Sequence, residues 1–205
     1  GTYGKWDTSK FYGDFGLYGQ TGEAAITNDK VDAGAYYAGF NLGYKFTAPF
    51  KVELGFEYLS GKDQNDTDIK VKSFTPLFGT NHGFNGLMDY FYVGNHKNSV
   101  GLQDFYTKFI YDKNKWQVTL APHVFYSAAS VYNMATLEEQ DSYLGTEIDL
   151  TATYKMDKNF VITGGVSKMF ASETMEILKG GNINNCNNWD RVMVSFNPQL
   201  FTYKK

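Results

Sequence analysis

Cysteine, arginine, proline and long apolar runs are what this 205-residue chain has least of. The single Cys186 rules out an internal disulfide, a four-cysteine zinc site and an iron–sulfur cluster. No apolar run reaches the roughly 20 residues of a membrane-crossing helix, which removes helical spanning. A formal net charge of −3, with Arg191 the only arginine, leaves no basic footprint for nucleic acid. Four prolines and a patterned remainder argue against a disordered chain. What is plentiful is aromatic: sixteen Tyr and seventeen Phe exceed the needs of one packed core. A mean hydropathy of −0.40 does not oppose a membrane barrel, where only every second strand residue must be apolar.

The organising signal is a period of two. Tyr36, Ala38, Phe40, Leu42, Tyr44 and Phe46 fall on one side of a strand; Ala35, Tyr37, Gly39, Asn41, Gly43 and Lys45 fall on the other. The same alternation sets Val52, Leu54, Phe56 and Tyr58 against Lys51, Glu53, Gly55 and Glu57. It sets Phe105, Phe109 and Tyr111 against Asp104, Tyr106 and Lys108, and Val118, Leu120 and Val124 against Gln117, Thr119 and His123. Further along, Leu144, Ile148, Leu150 and Tyr154 oppose Glu147, Asp149 and Thr151; Val192, Val194 and Phe196 oppose Arg191, Ser195 and Asn197. With runs at Phe160–Val166 and a less regular one near Phe11–Gln20, about eight strands are expected.

Short connections at Ala48–Pro49, Asp112–Lys115 and Asp157–Asn159 alternate with long ones near 22–32, 61–99, 127–142 and 171–188. Short and long ends in turn are the asymmetry of an antiparallel up-and-down barrel of the outer membrane, with periplasmic turns and larger outer loops. A soluble barrel would carry its apolar face inside and would not need aromatics beside the short turns, where Tyr44, Phe46, Tyr111, Trp116, Tyr154 and Phe160 read as an interfacial girdle. The expected fold is therefore all-β, a transmembrane antiparallel barrel forming one domain over 1–205. Its apolar rows meet lipid and its polar rows face water. The wet rows give the expected pore lining: Asp14, Asn41, Glu53, Glu57, Asp104, Lys108, His123, Glu147, Asp149 and Arg191. Two charges, Lys168 and Asp190, fall on the apolar parity beside long loops, at headgroup depth, where the cost of a charge is small.

The 39 residues from Gly61 to Ser99 are too many for an ordinary loop and too aromatic for a disordered one. A segment with this much Phe, Tyr, Leu and Met must pack on something, and the barrel's own lumen is the nearest surface. Phe74, Pro76, Phe78, Asn81, His82, Phe84, Met88, Asp89 and Tyr90 are the residues expected to form a constriction there. The stretches GFEYLSGKDQND, SFTPLFGTNHGFNGLMDYFYVGN and VGLQDFYTKFIY resemble the alginate export family of outer-membrane porins, in its Bacteroidota-type members. The match lies in a strand ending Tyr58-Leu59-Ser60-Gly61, then a loop block holding Phe74, Pro76, Leu77, Phe78, Thr80, Asn81, His82, Phe84, Gly86, Met88, Asp89, Tyr90 and Phe91. The resemblance implies a wide barrel of 16–18 strands, of which this chain is the C-terminal part, with a basic lumen that passes a polyuronate. Here the sequence departs from the pattern of the family it resembles: six carboxylates expected to face inward stand against Lys108 and Arg191 at mid-depth.

Other constellations are weaker. Glu53 and Glu57 share a face, but four strand residues separate them by ~13 Å, too far for a glycosidase pair. Asp63, Asp66 and Asp68 suggest either a calcium-binding loop or a solvated acidic turn. No catalysis, cofactor or metal is expected. The expected function is passive passage of a hydrophilic solute, such as an oligo- or polysaccharide, across the bacterial outer membrane. The expected partners are outer-membrane lipid, lipopolysaccharide, that solute and a protein of a larger envelope complex. The competing reading is a closed eight-stranded anchor or adhesin that acts through its outer loops without a pore.

Overall fold

The structure is a computed structural model that describes residues 1–26, 29–76, 85–91, 99–198 and 201. Its strands are β1 (Thr2–Asp7), β2 (Phe11–Ile26), β3 (Asp29–Lys45), β4 (Phe50–Leu59), β5 (Leu102–Lys113), β6 (Trp116–Tyr126), β7 (Tyr132–Asn133), β8 (Glu138–Glu139), β9 (Tyr143–Lys155), β10 (Phe160–Ala171) and β11 (Asn187–Phe196). One short helix, α1, spans Glu173–Lys179. Nine strands form one antiparallel meander in the order β1-β2-β3-β4-β5-β6-β9-β10-β11, and β7-β8 is a separate hairpin. Among the described residues β1 and β11 do not pair with each other, so the sheet has two open edges.

Burial settles which way the strands face. Phe40, Leu54 and Val192 are 48%, 52% and 79% exposed, whereas Asp104, Glu147 and Asp149 are 0%, 0% and 2% exposed. Along the inner strands the large apolar side chains are the exposed row and the charged row is covered, while the edge strand β11 is open on both faces, with Met193 50% exposed. In water each Å² of bare apolar surface costs roughly 25 cal/mol, so this arrangement fits an apolar solvent. The register extends the bare face without a break, with Phe40 opposite Phe56, Phe56 opposite Phe105, Leu120 opposite Leu150 and Val166 opposite Leu150. Lys168 and Asp190 do lie on that face; Lys168 Nζ sits 5.2 Å from the Phe170 ring centre.

Aromatic pairs band the bare face. Beside the short turns lie Phe11–Tyr44 (5.0 Å), Phe50–Tyr111 (5.4 Å), Trp116–Tyr154 (4.8 Å) and Phe160–Phe196 (6.1 Å). Toward the long loops lie the stacked Tyr36–Tyr58 pair (5.5 Å) and Tyr126–Tyr143 (5.6 Å). Eight strand residues from Tyr44 to Tyr36 span ~27 Å at ~3.4 Å each. That matches an apolar band of about 25 Å between two aromatic girdles.

Three expectations are corrected. There are nine strands in the sheet and not eight, because β1 pairs along Thr2–Asp7 with β2. It lacks a clean apolar row of its own; Trp6 carries most of the bare side. The expected loop near 22–32 is strand: β2 and β3 stay paired out to Ile26 and Asp29. This arm projects past the end of β4, where Leu59 pairs with Tyr37, so neither of its faces needs an apolar row. Leu144, expected on the bare face, is 1% exposed on the covered one. The register shifts between Phe125 and Tyr126, which face Gly145 and Tyr143 in turn, and the extra residue is Leu144.

If the bare face meets lipid, Leu120→Arg puts a guanidinium at mid-strand in hydrocarbon. Equilibrium unfolding from lipid vesicles should then lose ~2–4 kcal/mol, against less than about 1 kcal/mol for Gln117→Arg on the covered face. Equal losses for the two variants would place water, and not lipid, on the bare side.

Candidate functional site

The covered face is built from residues of one parity, and it changes character along its length. At its long-loop end, one step beyond the charged residues, the row turns apolar: Glu57 is followed by Leu59, Asp104 preceded by Leu102, His123 followed by Phe125 and Ser167 by Met169. These strand ends join Phe74 and Phe91 of the β4–β5 connection and Met175 of α1 in one buried cluster, with Tyr37, Met88 and Tyr90 packed against it. Phe91 meets Phe125 at 4.6 Å and Phe74 meets Tyr37 at 5.5 Å. Burial of each such aromatic contributes ~1.5–3 kcal/mol, so the connection is held to the sheet mainly by this cluster.

Below the cluster four carboxylates from three strands take hold of a four-residue arc of that connection. Asn85 Nδ2 donates to Glu57 Oε2 (2.9 Å) and to Asp104 Oδ2 (3.1 Å). The backbone N–H groups of Leu87 and Met88 both donate to Glu147 Oε1, at 2.6 and 2.9 Å, and Leu87 N–H also reaches Asp149 Oδ2 at 3.2 Å. Gly86 has φ +80°, and a Cβ there would lie 2.5 Å from Glu147 Oε1. Only glycine lets successive N–H groups turn onto one carboxylate at that distance. His123 is wedged between two of the four, its Nδ1 3.0 Å from both Asp104 oxygens and its Nε2 4.0 Å from Asp149 Oδ2. Tyr37 donates its hydroxyl to Glu57 Oε1 at 3.2 Å.

The rest of the covered face is paired more locally. Asn41 donates to Asp14 (3.1 Å) and accepts from the Tyr106 hydroxyl, while Lys108 meets Glu53 at 3.2 Å. Tyr106 lies flat on Gly55, where a Cβ would come within 2.1 Å of its ring. Arg191 stacks on Trp189 at 5.6 Å.

Of the residues expected to line a pore, Glu57, Asp104, His123, Glu147 and Asp149 are thus drawn together around the loop arc. Asp14 and Asn41 form a second group with Tyr106, Glu53 pairs with Lys108, and Arg191 stands near Thr151 beside Gly165. Of the residues expected in a constriction, Phe74, Met88 and Tyr90 pack in or on the apolar cluster. Burial, and after it the Glu147 charge, pushes the Tyr90 hydroxyl pKa up. Pro76 is half-buried beside Thr75, whose backbone is clasped by Gln20, and Asp89 takes a positive φ of 59°. Phe78, Asn81, His82 and Phe84 lie outside the described residues.

Sequence reasoning missed Asn85 and Leu87, which make the contacts through an amide side chain and a backbone N–H that no pattern announces. It missed Phe125, Leu102 and Met169, although their break from the polar parity was there to be read. It also passed over α1, whose Ser172 cap, terminal Lys179 and closing Gly180 are ordinary helix punctuation. Lys179 lies 5.4 Å from the Phe91 ring, and burial holds its pKa below the usual lysine value.

The acidic turn of the outer loop has a different occupant from calcium. Lys72 Nζ bonds Asp66 (2.6 Å) and Asp68 (3.3 Å), and Asp63 Oδ1 accepts from Ser130 N–H at 2.7 Å. Among the described residues no His, Cys, Asp or Glu group has the geometry to hold a metal.

Nine antiparallel strands with an apolar outside, a charged inside and a long inward connection define a β-barrel-type membrane protein. The family model for alginate export matches residues 2–187, and the chain belongs to that family. No curated protein matches the chain.

Two outcomes test this geometry. Gly86→Ala should loosen the arc, raising hydrogen exchange at Leu87 and Met88 roughly tenfold or more while the strand amides stay protected; unchanged exchange would show the carboxylates do not hold it. In the acidic turn, the Lys72 hydrogen bond, and then a backbone N–H, lower the Asp66 carboxyl pKa. A depressed carboxylate stabilises above its unfolded pKa and loses that contribution as pH falls through the folded one. Lys72→Ala should therefore weaken the loop at neutral pH and leave it unaffected well below pH ~3.9. Millimolar calcium should not raise the melting temperature of the parent chain, and a rise would reopen a metal role.

Proposed function

We propose that this chain forms the wall of an outer-membrane channel through which a hydrophilic solute passes by diffusion, with the β4–β5 connection as its constriction. The observation that carries the reading is the docking of Asn85–Met88 on Glu57, Asp104, Glu147 and Asp149 of the covered face, while the opposite face is bare and apolar. A loop seated on the charged side of a membrane sheet narrows whatever aqueous path that side lines.

The two open edges belong to the same reading. Hydrocarbon does not tolerate a row of unpaired backbone groups. β1 and β11 then pair with further strands, and the sheet is one arc of a wider barrel. A closed eight-stranded anchor is disfavoured, because among the described residues nine strands leave both edges unpaired. Lipid contacts the bare face, and lipopolysaccharide or an envelope protein meets the long-loop end. Lys108 is balanced by Glu53, and Asp14, Asp104 and Asp149 outnumber the remaining Arg191. The path should thus favour cations and neutral solutes over anions.

Single-channel recording in planar bilayers tests this. The protein should conduct with a cation preference, and Asn85→Ala combined with Gly86→Ala should raise conductance severalfold. Absence of any conductance would remove the channel reading; a conductance that the double variant leaves unchanged would remove the constriction.

A further inference from the structure

Two carboxylate oxygens beneath the loop arc have no hydrogen-bond donor: Glu147 Oε2 and Asp149 Oδ1. Their partner oxygens are served by the arc, Glu147 Oε1 by Leu87 and Met88 and Asp149 Oδ2 by Leu87. Glu57 and Asp104 are served by Tyr37, Asn85 and His123. Glu147 and Asp149 are 0% and 2% exposed, so water does not reach the pair. They lie two residues apart on one face of β9, with their carboxyl groups in hydrogen-bond contact. An ionised carboxylate only accepts, so two of them make such a bond only when one carries a proton. Buried polar atoms are almost always paired, and a single proton pairs both of these.

We propose that Glu147 and Asp149 share one proton, and that this proton fastens the loop arc to the wall. With it in place, Glu147 Oε1 and Asp149 Oδ2 stay turned toward the Leu87 and Met88 N–H groups. When hydroxide removes it as water, two bare like charges face each other where no donor is at hand, and they repel. The side chains swing apart, and the N–H groups that depend on their present angle lose their acceptors. The arc loosens locally, while the apolar cluster of Phe74, Phe91 and Met175 stays packed and keeps the connection in place. The inference rests on the channel reading and names what regulates its constriction. Alkaline pH slackens the arc and adds one negative charge beside the path.

No surrounding group takes the proton's place. Glu57 of β4 and Asp104 of β5 only add negative charge, and Lys108 of β5 is engaged by Glu53 at 3.2 Å. His123 of β6 keeps Nδ1 on Asp104, and its Nε2 stays 4.0 Å from Asp149 Oδ2, the oxygen already served. β10 sets the uncharged Met169 and Ser167 opposite Glu147 and Asp149. Arg191 of β11 lines a cavity of about 170 Å³ beside Asp149, and among the described residues it forms no ion pair with that carboxylate. The connection brings Asp89 and Tyr90, and α1 brings Lys179, which sits 5.4 Å from the Phe91 ring. None of these donates to Glu147 Oε2 or Asp149 Oδ1. The cavity lined by His123, Leu87 and Asp149 gives the proton its way to solvent.

Infrared spectroscopy of the detergent-solubilised protein tests the pair directly. The C=O stretch of a protonated carboxyl should be present at about pH 6.5, where free Asp and Glu are ionised, and should fade as pH rises toward about 9.5. Glu147→Gln and Asp149→Asn each put an amide N–H where the proton was. Each should remove one carboxyl's share of the band, and either serves if the other fails to fold. Hydrogen exchange, corrected for the intrinsic effect of pH, should show protection at Leu87 and Met88 falling about tenfold or more over that range in the parent and staying level in the amide variants. In planar bilayers the parent's cation preference should rise over the same range, and that of Glu147→Gln should not. Folded His123→Gln should keep the step, which separates it from titration of the imidazole. Absence of a carboxyl band that either amide variant removes would overturn the proposal. So would a loss of protection that the parent and the amide variants share, or a step that vanishes with His123→Gln. A conducting protein without the band sinks only the shared proton, whereas one that shows the band and its step but never conducts sinks the channel.

Discussion

A charge cannot be left in hydrocarbon and a phenylalanine row cannot be left in water, and in a strand those two demands alternate residue by residue. Everything else in this chain follows from meeting both at once. Because successive side chains point to opposite faces, one segregation fixes the register of all the long strands together. A slip of β6 by one residue against β5 would move His123 to the side of Phe105 and Val124 to the side of Asp104. The aromatic pairs of the bare face are the visible result of that fixed register, and so are the carboxylates on the covered one.

Bringing four carboxylates together has a cost that the sheet alone does not offset. Burial raises the free energy of each charge, and neighbouring like charges raise it further. The structure offsets it with amide hydrogens: a side-chain amide, two backbone N–H groups and the imidazole of His123. The amide donors come from the connection, and the wall adds only His123 and the Tyr37 hydroxyl. The loop and the acidic face are therefore a single electrostatic unit, and each would be poorly satisfied without the other.

Much of the architecture could be read directly from the sequence. Period-two alternation gave the long strands, the direction of each face and the aromatic belts, because those features are dictated by solvent at each residue. The signal failed where lipid stops dictating. The β2–β3 arm and β1 lack a strong apolar row, so no alternation marked them. Leu144 was misplaced because a bulge shifts parity without any change in composition. The carboxylates of the site were legible as a row on one face, but their convergence on Asn85–Met88 was not. That convergence depends on a glycine with positive φ and on backbone hydrogens, neither of which leaves a trace in hydropathy.

Besides its apolar cluster, the β4–β5 connection is fastened in two places of different kinds. Its root is laced to the neighbouring outer segments: Val71 pairs with Gly34 and Asp32, Thr75 is clasped by Gln20, and Asp63 and Gln64 hold Ser130 and Tyr132. Its inner arc is moored to the wall by a handful of amide bonds. The apolar cluster joins the two, so the arc cannot be lifted by exchanging a few amide bonds for water: Phe91, Met88 and Tyr90 would have to bare their surface with it.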